Sequence, residues 1–158
     1  MTNQLLTSQL LKERNFMQNT KASQLLLLLK TVSSQVTQNF EKKTGLSLTR
    51  YGMLVYLSQQ GELSQNELQR YIQIDQGAVT RHLKILEEKG YVSRSRNPKN
   101  NREVIVRATS LGIATVTQCD QKKTSLLSEL FEGFDEEEII ILSNMLFRLC
   151  KNNEKNER

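Results

Sequence analysis

The sequence predicts a mainly α-helical fold with one small β-hairpin, and three observations carry that reading. Long stretches place apolar residues at steps of three and four, the period of a helix. After Gly90 the period changes to two, and Pro98, the single proline, sits in a turn cluster between the two alternating runs. The chain has 158 residues, 37% hydrophobic and 25% charged, with seven glycines and no Trp. This suits one compact domain with helical extensions and excludes collagen-like, proline-rich and disordered classes. The apolar fraction is low for a monomeric core, so helices that become buried only when two copies pair are expected.

In chain order, Leu25, Leu29, Val32, Val36 and Phe40 form a helical stripe, which predicts a first helix from about Met17 to Phe40. Leu5, Leu6, Leu10, Leu11 and Phe16 either extend it or form a separate turn. Lys42, Lys43 and Gly45 close it, because cations and then a glycine suit the negative end of a helix. Thr49 is expected to cap a second helix reaching about Gln60, with Met53, Leu54 and Leu57 inward and Gly61 as its stop. Ser64-Gln65-Asn66-Glu67 matches a capping box, so a short third helix runs to about Tyr71. Asp75 can cap a fourth, from about Gln76 to Lys89, where Gly90 supplies the left-handed residue. Only Ile72 to Asp75 separate the third and fourth helices, the spacing of a helix-turn-helix.

Val92, Arg94 and Arg96 alternate with Ser93 and Ser95, and Glu103 to Arg107 is rich in β-formers, giving a two-stranded hairpin. Thr109 then caps a helix from Ser110 to Leu130. Asp135 and Glu138 form a second capping box that opens a last helix to about Lys151, leaving a polar tail from Asn152 that is expected to fray.

The apolar runs Leu25 to Leu29 and Ile139 to Leu142 fall far short of the ~20 residues of a bilayer span, and no cationic region precedes the first leucines. Neither a membrane span nor an export signal is expected. Cys119 and Cys150 are too few and too distant for a disulfide framework, which points to the cytoplasm, and both are expected to act as small buried hydrophobes. His82 is the sole histidine, and without a second one or a CxxC pair a zinc site has no ligand set. No nucleophile or glycine-loop motif of an enzyme is present, so neither catalysis nor a cofactor is expected.

Charge is unevenly divided. Residues 76–107 carry eight Lys and Arg against three Asp and Glu, whereas residues 108–158 carry six against nine. On the fourth helix Val79, Leu83 and Leu86 share a face, leaving Gly77, Thr80, Arg81, Lys84 and Glu88 opposite. The small residues and Gln76 at the start, Gln76-Gly77-Ala78 with Thr80, allow close approach to another surface, and Arg81 and Lys84 follow one turn later. A DNA major groove accepts such a helix, with Arg and Gln able to form paired hydrogen bonds to guanine and adenine edges and a Thr methyl suited to thymine. The hairpin that follows adds Arg94, Arg96, Lys99, Arg102 and Arg107. Arg102 is expected to enter a minor groove, with the other cations on phosphates.

Residues 64–112, including the pieces LEEKGYV and RATSLG, resemble the winged helix-turn-helix of the MarR-type bacterial transcriptional regulators, and the flanking helices follow that family's order over about residues 20–150. The resemblance implies a winged helix-turn-helix domain at 46–109, an N-terminal helical dimerisation region at 1–45 and C-terminal dimerisation helices at 110–158. It implies DNA contacts by Gln76, Gly77, Ala78, Thr80, Arg81 and Lys84 and a wing contact by Arg102. Where the family wing has an Asp two residues before its Arg, this chain has Asn100, which accepts a hydrogen bond but brings no charge. The function so implied is that of a homodimeric, sequence-specific regulator, a repressor on a pseudo-palindromic operator, released by a small-molecule ligand. Tyr51, Met53, Phe40 and Met17 fit the lining of such a ligand pocket and fit core positions equally well. A competing reading is a helical adaptor whose winged domain binds an acidic protein.

Overall fold

The computed structural model describes the backbone of residues 2–156 and the side chains of residues 21–154. Its elements run α1 (Thr2–Thr44), α2 (Leu48–Gln60), β1 (Glu62–Ser64), α3 (Gln65–Ile72), α4 (Gln76–Glu88), β2 (Val92–Asn97), β3 (Asn100–Ala108), α5 (Ser110–Leu130) and α6 (Glu136–Asn156). α1 therefore includes Leu5, Leu6, Leu10, Leu11 and Phe16 as an extension and not as a separate turn. Gly45 ends it at φ +77°.

Local chemistry sets most boundaries. Ser64 accepts from the Glu67 amide at 3.2 Å while Glu67 accepts from the Ser64 amide at 2.8 Å, the capping box expected of α3. Thr109 caps α5 and Asp135 exchanges hydrogen bonds with Glu138 at the start of α6. Two expectations need correction. The cap of α2 is Ser47, whose hydroxyl faces the Arg50 amide, and not Thr49; Leu46, buried beside it, anchors the chain one residue earlier. α6 runs to Asn156, past the point where fraying was expected, because no glycine or proline follows Lys151 to stop it.

The hairpin is part of a three-stranded antiparallel sheet of order β1-β3-β2. β1 was not expected from the sequence. It pairs Leu63 with Val106, while β2 pairs Val92 with Ala108 and Arg94 with Val106, with an irregularity at Arg96 and Asn97 near the tip.

One core joins these elements: Met53, Leu54 and Leu57 of α2, Leu68 of α3, Val79, Leu83 and Leu86 of α4, Val92 and Val106 of the sheet, and Val116 and Cys119 of α5. α5 meets the sheet through a backbone contact. The Thr109 amide donates to the Tyr91 carbonyl at 3.0 Å, the Thr109 hydroxyl donates to the Gly90 carbonyl at 2.6 Å, and a Cβ at Gly112 would lie 2.1 Å from the Tyr91 oxygen. Only glycine fits there.

Outside this core, among the described residues, the long helices leave many large apolar side chains exposed. Leu27 on α1 and Phe147 on α6 are 69% and 63% exposed, and Leu26, Ile140, Met145 and Leu149 are exposed with them. Cys150 is exposed as well, which corrects the expectation that both cysteines are buried; α6 has no core against which to bury it. No helix among the described residues is long and apolar enough to cross a membrane.

Candidate nucleic-acid interface

α4 begins at Asp75, whose carboxylate accepts from the Ala78 amide at 2.8 Å and satisfies one of the free donors of the first turn. Val79, Leu83 and Leu86 are completely buried, which fixes the helix's rotation about its axis. The opposite face is then Gln76, Gly77, Thr80, Arg81 and Lys84, all exposed, with Ala78 half-buried at the margin. A Cβ at Gly77 would sit 3.1 Å from the Asp75 carboxylate and 3.6 Å from a terminal nitrogen of Arg81. The absent side chain thus leaves room for the cap and for the guanidinium folded beside it. Lys84 lies 3.9 Å from Glu88, an exposed pair too weak to hold the ammonium away from a phosphate.

His82 lies on the same helix but turns inward. Burial first, and then the charges of Arg50 and Arg81, hold its pKa below the usual 6.5, so it is uncharged at neutral pH and adds no cation to this face. Among the described residues, no three His, Cys, Asp or Glu side chains converge as metal ligands.

The hairpin carries its cations in different states. Arg96, Lys99 and Arg102 are exposed. Arg94 is half-buried and donates from Nε to Glu87 at 2.9 Å, with a second donation from a terminal nitrogen, so its guanidinium is engaged with the end of α4. Arg107 is paired with Glu62 across the β1–β3 ladder. At the tip, Asn97 accepts from the Lys99 amide at 2.9 Å and donates to Glu103 at 2.6 Å. Asn100 accepts from the Arg102 amide at 3.2 Å, holding the backbone of the tip and leaving the guanidinium exposed.

These parts meet in space. Gln76 and Arg102, 26 positions apart, both line a small hollow of about 90 Å³ together with Gln65, Asn66, Glu103 and Val104. On another side of the hairpin, Arg96, Lys99 and Arg107 border an open depression of about 560 Å³. Of the residues that fit either a ligand pocket or the core, Phe40 and Met53 are buried, and Tyr51 is half-buried and bonded to Asp120. The side chain of Met17 lies outside the described residues. Glu87 and Gln65 are the contributors that sequence reasoning passed over.

An exposed, cation-bearing helix of a helix-turn-helix beside a basic two-stranded wing defines a class, the winged-helix regulators that bind DNA. The MarR family model matches residues 46–104. Over 130 residues the chain is 37% identical to the HTH-type transcriptional regulator YdgJ of Bacillus subtilis, covering 82% of this chain and 79% of that protein. The chain belongs to the MarR family, whose members are transcriptional regulators and not enzymes. It is also 27% identical over 126 residues to the multiple antibiotic resistance protein MarR of Salmonella typhimurium, covering 79% of this chain and 88% of that one. Among solved structures, a MarR mutant from E. coli in complex with operator DNA superposes with a TM-score of 0.74 at 26% identity, covering 79% of this chain and 92% of that chain.

Proposed function

We propose that this DNA-binding regulator is a cytoplasmic homodimeric repressor that reads a pseudo-palindromic operator. The observation that carries the reading is the division of α4 into a fully buried stripe and an exposed face of Gln76, Gly77, Thr80, Arg81 and Lys84, with Arg102 of the wing sharing a hollow with Gln76. In this reading Gln76, Thr80 and Arg81 meet base edges, Gly77 and Ala78 allow close approach, and Lys84, Arg96 and Lys99 neutralise phosphates. Arg102 enters the minor groove, and Arg94 acts through Glu87 by setting the angle of the wing. The exposed apolar faces of α1 and α6 support pairing, since a soluble monomer rarely leaves so many large aliphatic side chains in water. Residues 1–45 and 110–158 then form the stalk of the dimer and 46–109 its DNA-binding domain. Repression follows from occupancy of promoter DNA.

Release by a small molecule fits the cleft of about 820 Å³ between α3 and the end of α6, bordered by Gln69, Arg70, Gln73 and Cys150. A ligand there touches both the winged domain and the stalk. It would shift DNA affinity by its preference for one spacing of the two α4 helices.

The test is selection of bound fragments from random double-stranded DNA by the full chain. The expected motif is an inverted repeat with half-site centres roughly 10 base pairs apart, or a multiple of that. A motif without twofold symmetry, or none at all, overturns the proposal. Phe147→Glu provides a second check on pairing: sedimentation should show dimer for the wild type and monomer for the variant.

A further inference from the structure

Gln65 is the first residue of α3, outside the exposed face of α4. Its side chain nevertheless reaches α4: Nε2 donates to the Thr80 hydroxyl oxygen at 2.9 Å. The same hydroxyl donates its proton to the Gln76 carbonyl, also at 2.9 Å. The directions of these bonds are mutually consistent. A backbone carbonyl only accepts, so the single hydroxyl proton goes to Gln76, and the Gln65 amide must present its nitrogen.

This arrangement determines what Thr80 can offer to a base. A threonine hydroxyl has one proton, and here it is used within the helix. Thr80 therefore has no donor for a purine N7 or a thymine O4. The two bonds also hold Oγ1 from both sides, and one rotation about χ1 positions the oxygen and the methyl group together. Thr80 is exposed, and with its proton committed it can offer a groove only the methyl group, held in place, or the one remaining lone pair of the oxygen. In the major groove, the feature matching that methyl is the C5 methyl of thymine.

We infer that Gln65 is a specificity-determining positioning residue, which locks Thr80 as a methyl reader of one thymine in each half-site. The inference rests on the assignment of α4 to the major groove and of Thr80 to thymine, and adds to it a residue from α3 that fixes the methyl. Gln65 does not need to touch DNA for this.

The experiment uses the full chain and the DNA it selects from a random pool. Each thymine of the selected motif is replaced in turn by deoxyuridine, which removes only the C5 methyl. For the wild type, one such replacement per half-site should weaken binding about fourfold, the weight of one buried methyl group. Gln65→Met keeps the length of the side chain and removes the donor without adding charge. It should still bind the selected DNA but show less than a twofold response to the same replacement. Thr80→Ser keeps the hydroxyl and both hydrogen bonds but has no methyl, and should lose the response; a Thr80→Ser variant with the full response overturns the inference. Circular dichroism checks that the variants are folded. A motif with no deoxyuridine-sensitive position, or a Gln65→Met variant with the full response, overturns this inference while leaving α4 in the groove. A wild type that selects no motif overturns both.

Discussion

Arg94 and Glu87 form a clamp across the turn at Gly90, joining the first strand of the wing to the last turn of α4 through two donations to one carboxylate oxygen. Glu87 gains acidity from it: the Arg94 hydrogen bond holds its carboxyl below the usual 4.5. The side chains are 24% and 39% exposed, so the pair contributes at most about 1 kcal/mol to stability. Because the folded pKa is depressed, that contribution is present above pH 4.5 and is lost as pH falls through the lower folded value. The clamp makes a prediction that separates two roles for Arg94. If Arg94 sets the wing, Glu87→Ala should weaken DNA binding by about fivefold, the equivalent of about 1 kcal/mol, although it removes a negative charge. A gain in affinity, measured by fluorescence anisotropy at fixed salt, would show that Arg94 acts as a phosphate ligand held back by Glu87.

Gly112 has the least room of the chain's glycines. An added Cβ would overlap the Tyr91 carbonyl oxygen at 2.1 Å, and that oxygen already accepts from Thr109. The obstacle is backbone at a joint of three elements, so it cannot be relieved by turning a side chain. Gly112→Ala should destabilise the fold by about 2–3 kcal/mol despite alanine's better helix propensity. Thermal unfolding reads the result, and an unchanged Tm would show that the joint yields.

How much of this was legible in the sequence depends on how local each signal is. Capping boxes at Ser64 and Asp135, the cap at Asp75 and the buried stripe of α4 involve residues within one or two turns, and all four expectations agree with the structure. β1 was not legible because three residues carry no measurable period, and its pairing of Leu63 with Val106 is a contact across more than forty positions. Ser47 and Thr49 offer the same chemistry two residues apart, and only the burial of Leu46 decides between them. The Glu87 clamp did leave a trace: Arg94 lies two residues after the buried Val92, hence on the same face of the strand, turned toward α4. Gln65 left none, because a hydrogen bond between two helices has no spacing rule.

A three-residue network ties α2 to α5. The Tyr51 hydroxyl donates to Asp120 at 2.6 Å, and the Lys123 ammonium donates to Tyr51 and to Asp120, both at 2.7 Å. The hydrogen bonds from Lys123 and then Tyr51 lower the Asp120 pKa, bonding to Asp120 raises that of Lys123, and burial and then Asp120 raise that of Tyr51. The signs give a plateau. The Asp120 contribution is complete above its ordinary 3.8 and is lost as pH falls through its lower folded value. Those of Tyr51 and Lys123 are complete below about 10 and are lost as pH rises through their higher folded values. Tyr51→Phe should lower stability by about 1 kcal/mol on this plateau and flatten its alkaline edge. Urea unfolding across pH tests this, and an unchanged alkaline edge would count against the network.

Arg81 and Arg102 should fail differently when removed. Arg81 is exposed on α4 beside Gly77, on the face proposed to enter the groove, where a guanidinium can form paired bonds to a guanine edge. Arg81→Ala should therefore reduce the preference for the selected motif over unrelated DNA by about 1–3 kcal/mol. Arg102 projects from a tip held by Asn100; if it enters the minor groove as proposed, it reads potential and width instead of base identity, and Arg102→Ala should weaken all sequences more evenly. Salt gives an independent measure of the shared background. If the proposed dimer neutralises about eight phosphates, log K should fall against log salt with a slope of about −7, and loss of one proposed phosphate contact from each protomer, as in Lys84→Ala, should reduce its magnitude by about 2. Equal losses for Arg81→Ala and Arg102→Ala on every DNA would contradict the division of labour between helix and wing. A slope near zero would remove the phosphate contacts on which both roles depend.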